Sequence, residues 1–434
     1  MPATHMPPEH PQRALLHNEI HARPPEALAP PLAITHIVMW ADASEREASR
    51  AHLAQLLHAH HLSAPDAGMT HARADLGRWR LRWEQHTEFV AWTFTAVAFE
   101  GGGAHPVQAS DAVPQDWLAR LPGQCLCRLQ LWVQPLPAQG ALAYPQLQMQ
   151  ALDEEQLVAS SVTGGQACVY TDFALHADGS SRMVVLAGAL SPRRLGRLVQ
   201  RLLEIETYRM TALLGLPQAR AAAVQLARAE QELAALAEAI RSADCDAEPA
   251  LLDRLTRLAG QVESLYAATH ARFSASSAYF DLVAQRIRDI DEARLGTLQT
   301  IGEFMDRRLS PARSTCEWAA RRQDALSQRI ARISHLLRTR VEIAQQQSSQ
   351  ALLAAMNQRQ DQQLQLQATV EGLSVAAITY YIVGLVSYLA RGAQPLGWPL
   401  APETTAALAI PVVAISVWWS LRRLHHRFFH APGH

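Results

Sequence analysis

The sequence has no lysine: all 39 basic residues are arginine, which with the heavy use of alanine indicates genomic codon bias. The net charge is only −1, so the basic excess of a nucleic-acid binder is missing and no such partner is expected. The five cysteines are odd in number and scattered, which argues against a disulfide framework. The N-terminal MPATHMPPEHPQR has no apolar core, so no signal peptide is expected.

Sequence motifs of common enzyme classes are also missing. There is no nucleophile elbow, and the GGG at 101–103 lacks the lysine and helix of a phosphate-binding loop. Cys125 and Cys127 would share one face of a strand, yet no second pair completes a zinc site. We therefore expect that the protein is not an enzyme.

Two apolar segments without charge stand near the C-terminus, at 372–390 and 404–421. Each approaches the roughly 20 residues that cross a bilayer as a helix. They predict a transmembrane hairpin over 372–421, with the lipid bilayer as a partner. The alternative is a buried hairpin of a soluble protein.

The flanks of these segments predict an orientation. Trp418 and Trp419 form an aromatic belt, and three arginines follow at 422, 423 and 427. Basic residues favour the cytoplasmic side, so both termini should lie in the cytoplasm and the loop 391–403 outside. The expected location is the cell inner membrane.

The residues before the hairpin divide into two parts. The sequence pattern over residues 1–190 predicts a cytoplasmic α+β domain with a mixed sheet. Its predicted elements include a strand at 31–40, a helix at 44–62 capped by Ser44, and one long strand or a bent pair at 78–99. From 191 to 371 the spacing predicts a helical stalk, whose first helix carries an apolar stripe of Leu195, Leu198, Leu202 and Ile205. The stalk ends in one helix that runs from about residue 313 into the membrane. Residues 422–434 form a basic cytoplasmic tail.

Several stretches resemble the signatures of one bacterial family of predicted membrane-anchored proteins, the domain of unknown function, family 3422. They are NEIHARP (18–24), WEQHTEF (83–89), TIGEF (300–304), LLRTRVEIA (336–344) and TVEGLSVAAITYY (369–381). The resemblance implies a C-terminal membrane anchor and no established activity.

The architecture more loosely resembles the CorA-type magnesium channels, which are homopentamers whose first membrane helix lines the pore. In those channels the loop signature Gly-Met-Asn follows that helix. Here ARGAQPLGWPLAPETT (390–405) stands in its place, so the expected magnesium selectivity is in doubt.

HNEIH (17–21) places two histidines four residues apart, as in zinc hydrolases. However, Glu19 does not directly follow His17, and Pro24 with Pro25 ends any helix near His21. The stretch is a poor hydrolase match.

WEQHTEF offers a different site. On a strand, Glu84, His86 and Glu88 would alternate onto one face. That face could be solvated, could pair with Arg23, or could bind a divalent cation, the one cofactor considered. If both motifs meet, they form a polar cluster for ligand sensing or subunit contact, composed of Glu19, His21, Arg23, Glu84, His86 and Glu88.

The first membrane helix carries small residues and hydroxyls on one face: Gly372, Ala376, Thr379, Val383 and Ser387. Such a face suits close helix packing, and it could also line a narrow pore in an assembly of copies. No ionisable residue lies within either span, which argues against a proton-coupled carrier.

Two functions fit these expectations. The first is a homo-oligomer of CorA-like architecture that conducts or senses cations. The alternative is a membrane-anchored scaffold or regulator that binds a protein partner and transports nothing.

Overall fold

The computed structural model describes residues 9–13, 16–17, 24–66, 68–98, 107–137, 152–244, 247–393 and 399–429. The chain divides into two compact units. Met1–Ser242 with Ala250–Ser334 form the first, and Ala243–Pro249 with His335–His434 form the second. The domain boundaries expected from the sequence remain a prediction.

The described part of the first unit is built on a nine-stranded sheet in the order β2-β3-β4-β1-β5-β8-β7-β6-β9. The β5–β8 pair is parallel and the remaining ladders are antiparallel, which confirms the predicted α+β domain with a mixed sheet. The strands are β1 Leu32–Trp40, β2 His71–Asp75, β3 Trp79–Gln85, β4 Phe89–Val97, β5 Gln124–Pro135, β6 Val158–Val162, β7 Ala167–Thr171, β8 Ser181–Ala187 and β9 Ala293–Arg294.

Long helices dominate the second half of the chain. The α-helices are α1 Ala43–Ala59, α2 Gln115–Leu118, α3 Pro192–Leu213, α4 Gly215–Ser242, α5 Glu248–Asp289, α6 Ile301–Arg308, α7 Ser310–Ala393 and α8 Pro402–Phe429. Helix α7 confirms the predicted continuous helix that begins near residue 313 and includes the first apolar segment.

The central strand β1 is buried on both faces because helices cover both sides of the sheet. Leu32 and Ile34 belong to the core that α3 closes, where the predicted stripe is buried: Leu195, Leu198, Leu202 and Ile205. Ala33 and Ile37 alternate to the opposite core, which α1 and α2 close.

Two local expectations are settled by the structure. The prediction that Ser44 caps helix α1 was wrong, because the helix begins after Asp42. The Asp42 Oδ1 accepts a hydrogen bond from the Glu45 backbone N–H at 2.8 Å, and the Glu45 carboxylate accepts one from the Asp42 backbone N–H. Both Ser44 and Asp42 can cap a helix, and the reciprocal bond with Glu45 selects Asp42. The segment predicted as one long strand or a bent pair forms the pair, because β3 and β4 are joined by a turn.

In the second unit, helices α7 and α8 are both long and apolar enough to cross a membrane. Large apolar side chains on them are exposed, among them Tyr380, Leu385, Leu389, Leu408 and Ile415. Pro411 lies within α8 without ending it.

Gly196 lets the extended segment that precedes β1 cross helix α3 at very short range. A Cβ at this position would stand 1.6 Å from the Glu26 carbonyl oxygen, and the Leu28 N–H donates to the Pro192 carbonyl at 3.0 Å in the same crossing. Two backbones therefore meet where only glycine fits.

We predict that Gly196→Ala lowers the free energy of unfolding by about 3 kcal/mol, because backbone rather than a flexible side chain must move. Gly260→Ala is the matched control, since Gly260 is an exposed position of helix α5 with no atom within 4 Å of its added Cβ. Helix propensity predicts a gain of about 1 kcal/mol there. Circular dichroism of the detergent-solubilised chain during unfolding measures the stability of both variants. Equal stabilities of Gly196→Ala and wild type would contradict the close crossing.

Candidate functional site: a polar pocket between the sheet and helix α3

A cavity of about 260 Å³ lies in the first unit, between one face of the sheet and helix α3. Polar side chains line it on a face that is otherwise apolar. From the sheet come His36, Arg82, Glu84, His86 and Thr93, and from the helices Gln200, Glu204, Thr207, Tyr208 and Arg286. A concave site with converging polar groups is a candidate binding site.

His36 is held rigidly at the base of this pocket. Its Nδ1 lies 2.8 Å from the Thr93 hydroxyl, and its Nε2 lies 2.9 Å from the Thr207 hydroxyl. Because Thr207 donates its own hydroxyl hydrogen to the Leu203 carbonyl at 2.8 Å, it must accept from His36 Nε2. Nδ1 then accepts from Thr93, and the ring is a neutral Nε2–H tautomer.

Burial keeps that imidazole neutral. Desolvation lowers the pKa of His36 from 6.5 to about 4, against the smaller opposing effect of the Glu84 carboxylate. The ring is therefore uncharged at neutral pH and presents no cation to a ligand.

Ion pairs form the walls of the pocket. Arg82 donates to Glu84 at 2.6 Å along β3, with both side chains largely buried. Across the pocket, Arg286 of α5 pairs with Glu204 of α3 and, at 3.1 Å, with Asp289. The walls thus offer guanidinium donors and carboxylate acceptors together, a chemistry that suits a polar or zwitterionic molecule better than a bare ion.

Glu88 does not line the pocket as Glu84 and His86 do; its carboxylate instead contacts helix α5. Arg272 of α5 donates to both of its oxygens, at 3.0 and 2.9 Å, and the Tyr279 hydroxyl donates at 3.0 Å. The Arg272 guanidinium also lies over the Trp40 ring, 5.2 Å from its centroid. This arrangement ties the β3–β4 turn to helix α5 and raises the pKa of Tyr279 through burial and the adjacent carboxylate.

The predicted cluster is thus only partly assembled in the described residues. Glu84 and His86 line one pocket, with His86 stacked on Phe89 at 4.3 Å between ring centroids. The expected alternation along one strand was wrong, because β3 ends at Gln85 and residues 86–88 form the turn. Glu19, His21 and Arg23 lie outside the described residues, and their part in the cluster remains a prediction.

Of the ten polar residues that line the pocket, only Glu84 and His86 were identified from the sequence. His36 interrupts an apolar strand, and Glu204 stands within the apolar stripe of α3, so a polar residue on a buried face was the available signal. Arg286 carried no such signal. Across the described residues, no three histidine, cysteine or acidic side chains lie close enough to hold a metal ion.

The small-residue face of the first apolar segment is unevenly covered. Thr379, Val383 and Ser387 are partly covered, whereas Gly372 and Ala376 are exposed. The Thr379 hydroxyl oxygen is buried and has no hydrogen-bond partner within the described chain.

Comparison with known proteins places the chain in a family. The family model described as "Protein of unknown function (DUF3422)" matches residues 8–428. The chain belongs to this family. The match includes the sheet and the apolar helices α7 and α8. It confirms the membership expected from the signature stretches. No curated protein and no solved structure matches this DUF3422 chain, so the CorA resemblance gains no support from comparison.

We predict that His36 makes the stability of this DUF3422 protein depend on pH. Its pKa is lower in the folded state, so the unfolded state binds the extra proton, and stability present above pH 6.5 is lost as the pH falls towards 4. The loss attributable to His36 is about 3 kcal/mol. Melting curves between pH 7 and 4.5 should fall less steeply for His36→Gln than for wild type or for the exposed control His58→Gln. Parallel curves would contradict the neutral, buried assignment.

A second prediction concerns the Glu88–Arg272 pair. Arg272→Ala should cost about 3 kcal/mol of folding stability, because it leaves a carboxylate against α5 without its partner. Arg257→Ala on the same helix is the control: its pair with Asp253 is mostly exposed, so the cost should stay below about 0.5 kcal/mol. Denaturant titration compares the two variants, and equal midpoints would refute a clamping role for Glu88.

Proposed function

We propose that the protein is an integral membrane protein anchored by a transmembrane hairpin over residues 372–421. The observation that carries this proposal is the exposed apolar surface of two charge-free helical segments. Water would strongly disfavour that much contiguous apolar surface, and hydrocarbon accommodates it. The backbone of both segments is helical, as a bilayer requires.

The proposed location is the cell inner membrane, with both termini in the cytoplasm. Support comes from Trp418 and Trp419, which suit the interface, and from the arginines that follow them. The sheet-containing unit would then be cytoplasmic.

Within that membrane, we propose a homo-oligomer of CorA-like architecture that conducts or senses cations. A single hairpin is too small to enclose a conduit, so any pore needs several copies around an axis. The hydroxyls of Thr379 and Ser387 lie on the small-residue face of the first span, which would turn towards that axis.

The alternative is a membrane-anchored regulator or scaffold without transport or catalytic activity. It is favoured by the pocket, whose carboxylates Glu84 and Glu204 are each engaged by an arginine rather than open to a cation. Under this proposal the pocket binds a polar ligand, and the cytoplasmic unit relays its presence to a protein partner.

The two functions predict different behaviour in purified form. For the conduit, the mass of the complex in mild detergent should correspond to a ring of copies, and liposomes should pass cations. Thr379→Trp should then block the flux, whereas Tyr380→Trp on the most exposed face should not. A monomer or dimer, or flux indifferent to Thr379→Trp, would rule out the conduit and leave the regulator.

A further inference from the structure

The stretch of α7 that precedes its apolar segment presents an unusual surface. Every residue from 345 to 373 is exposed. Among them, five large apolar side chains are 61–69 % exposed and lie on one side of the helix: Leu352, Met356, Leu366, Val370 and Leu373. This set is called the α7 stripe below.

The spacing of the α7 stripe is that of a coiled-coil seam. Its members follow the alternating steps of four and three residues that define the a and d positions of a heptad. Arg359 and Gln363 occupy the two intermediate positions of the same series. The a and d spacing thus continues over three consecutive heptads, and polar residues occupy the a and d positions of the middle heptad.

We propose that the α7 stripe is the contact between copies of this chain, packed parallel and in register. The proposal rests on the membrane insertion proposed above and identifies where the homo-oligomer is held together. A knob-and-hole seam needs a partner helix with matching a and d residues, and a second copy supplies the identical series.

The continuity of α7 determines the orientation of that partner. The stripe and the apolar segment both lie in the second unit, on one unbroken helix. Two copies inserted in the same bilayer would therefore point the same way and hold each residue at the same height.

The extent of the stripe is sufficient for an interface. Two copies that cover these five side chains on each helix would bury on the order of 1,000 Å² in total, the lower limit for a specific contact. Residues on the membrane face of the same helix would add to it. Arg359 and Gln363 would reduce the stability of the seam while restricting its register, and the long arginine side chain can reach water at the edge.

A lipid surface fits the same stripe less well. Interfacial helices combine one apolar face with a strongly basic polar face. Between Met356 and Leu366 the helix instead carries mainly glutamine, with Arg359 balanced by Asp361. The stripe is therefore interrupted by polar groups at the point where an interfacial helix would be apolar.

Leu366 and Leu364 provide a matched pair for the test. They are 67 % and 58 % exposed, carry the same side chain and lie about 200° apart around the helix, with only Leu366 in the stripe. Leu366→Cys should give a disulfide-linked dimer in oxidised membranes, because equivalent positions of a parallel seam approach within bonding range. Leu364→Cys should stay at the wild-type background set by the native cysteines.

Charge substitution gives an independent readout on the full chain in mild detergent. Leu366→Glu should shift the complex to the monomer mass, whereas Leu364→Glu should leave the wild-type mass unchanged. Arg359→Leu should make the oligomer resist dilution further than wild type, since it removes a like charge from the seam.

The outcomes separate this proposal from the one on which it rests. An oligomeric wild type with equal cross-linking at 364 and 366, or one unaffected by Leu366→Glu, overturns the seam and leaves the membrane homo-oligomer intact. A wild type that is monomeric but remains in the membrane overturns both the seam and the assembly. Cross-linking at 366 alone, together with the mass shift of Leu366→Glu, supports the seam.

Discussion

The apolar surface of the helical segments 372–390 and 404–420 is the constraint on which the proposed biology depends. One chain leaves most of that surface exposed, so hydrocarbon or other copies must cover it. A bilayer covers it without further partners and orients the copies in parallel. That orientation also gives the heptad spacing of the α7 stripe a role, because its apolar side chains would otherwise stand exposed to water.

The sheet-containing unit meets the opposite requirement, since it holds polar groups inside a core. His36 is accommodated as a neutral ring between two threonine hydroxyls, and the arginines of the pocket are matched by carboxylates. These buried groups of the pocket thus keep partners, which limits the cost of burying them. The cavity that remains has preformed donors and acceptors, as a ligand-sensing site needs.

Periodicity in the sequence was enough to predict the long helix, the apolar stripe of α3 and the mixed sheet. Glu84 and His86 were also predicted from the sequence, because several polar residues stand close together in the short WEQHTEF motif. It could not assign Glu88, whose partner Arg272 lies 184 residues away, nor find the bond of His36 to Thr207. The position of the β3–β4 turn was not predicted, because residues 86–88 contain no glycine or proline. Tertiary contacts rather than turn propensity end the strand at Gln85.

The most direct measurement is alkaline carbonate extraction of membranes from cells that express the full chain. Carbonate at high pH releases peripheral proteins and leaves proteins with spanning helices in the pellet. The hairpin predicts that the chain stays in the pellet and enters the soluble fraction only with detergent. Release of the intact chain by carbonate alone would contradict a membrane-spanning anchor, and with it the orientation that the proposed assembly requires.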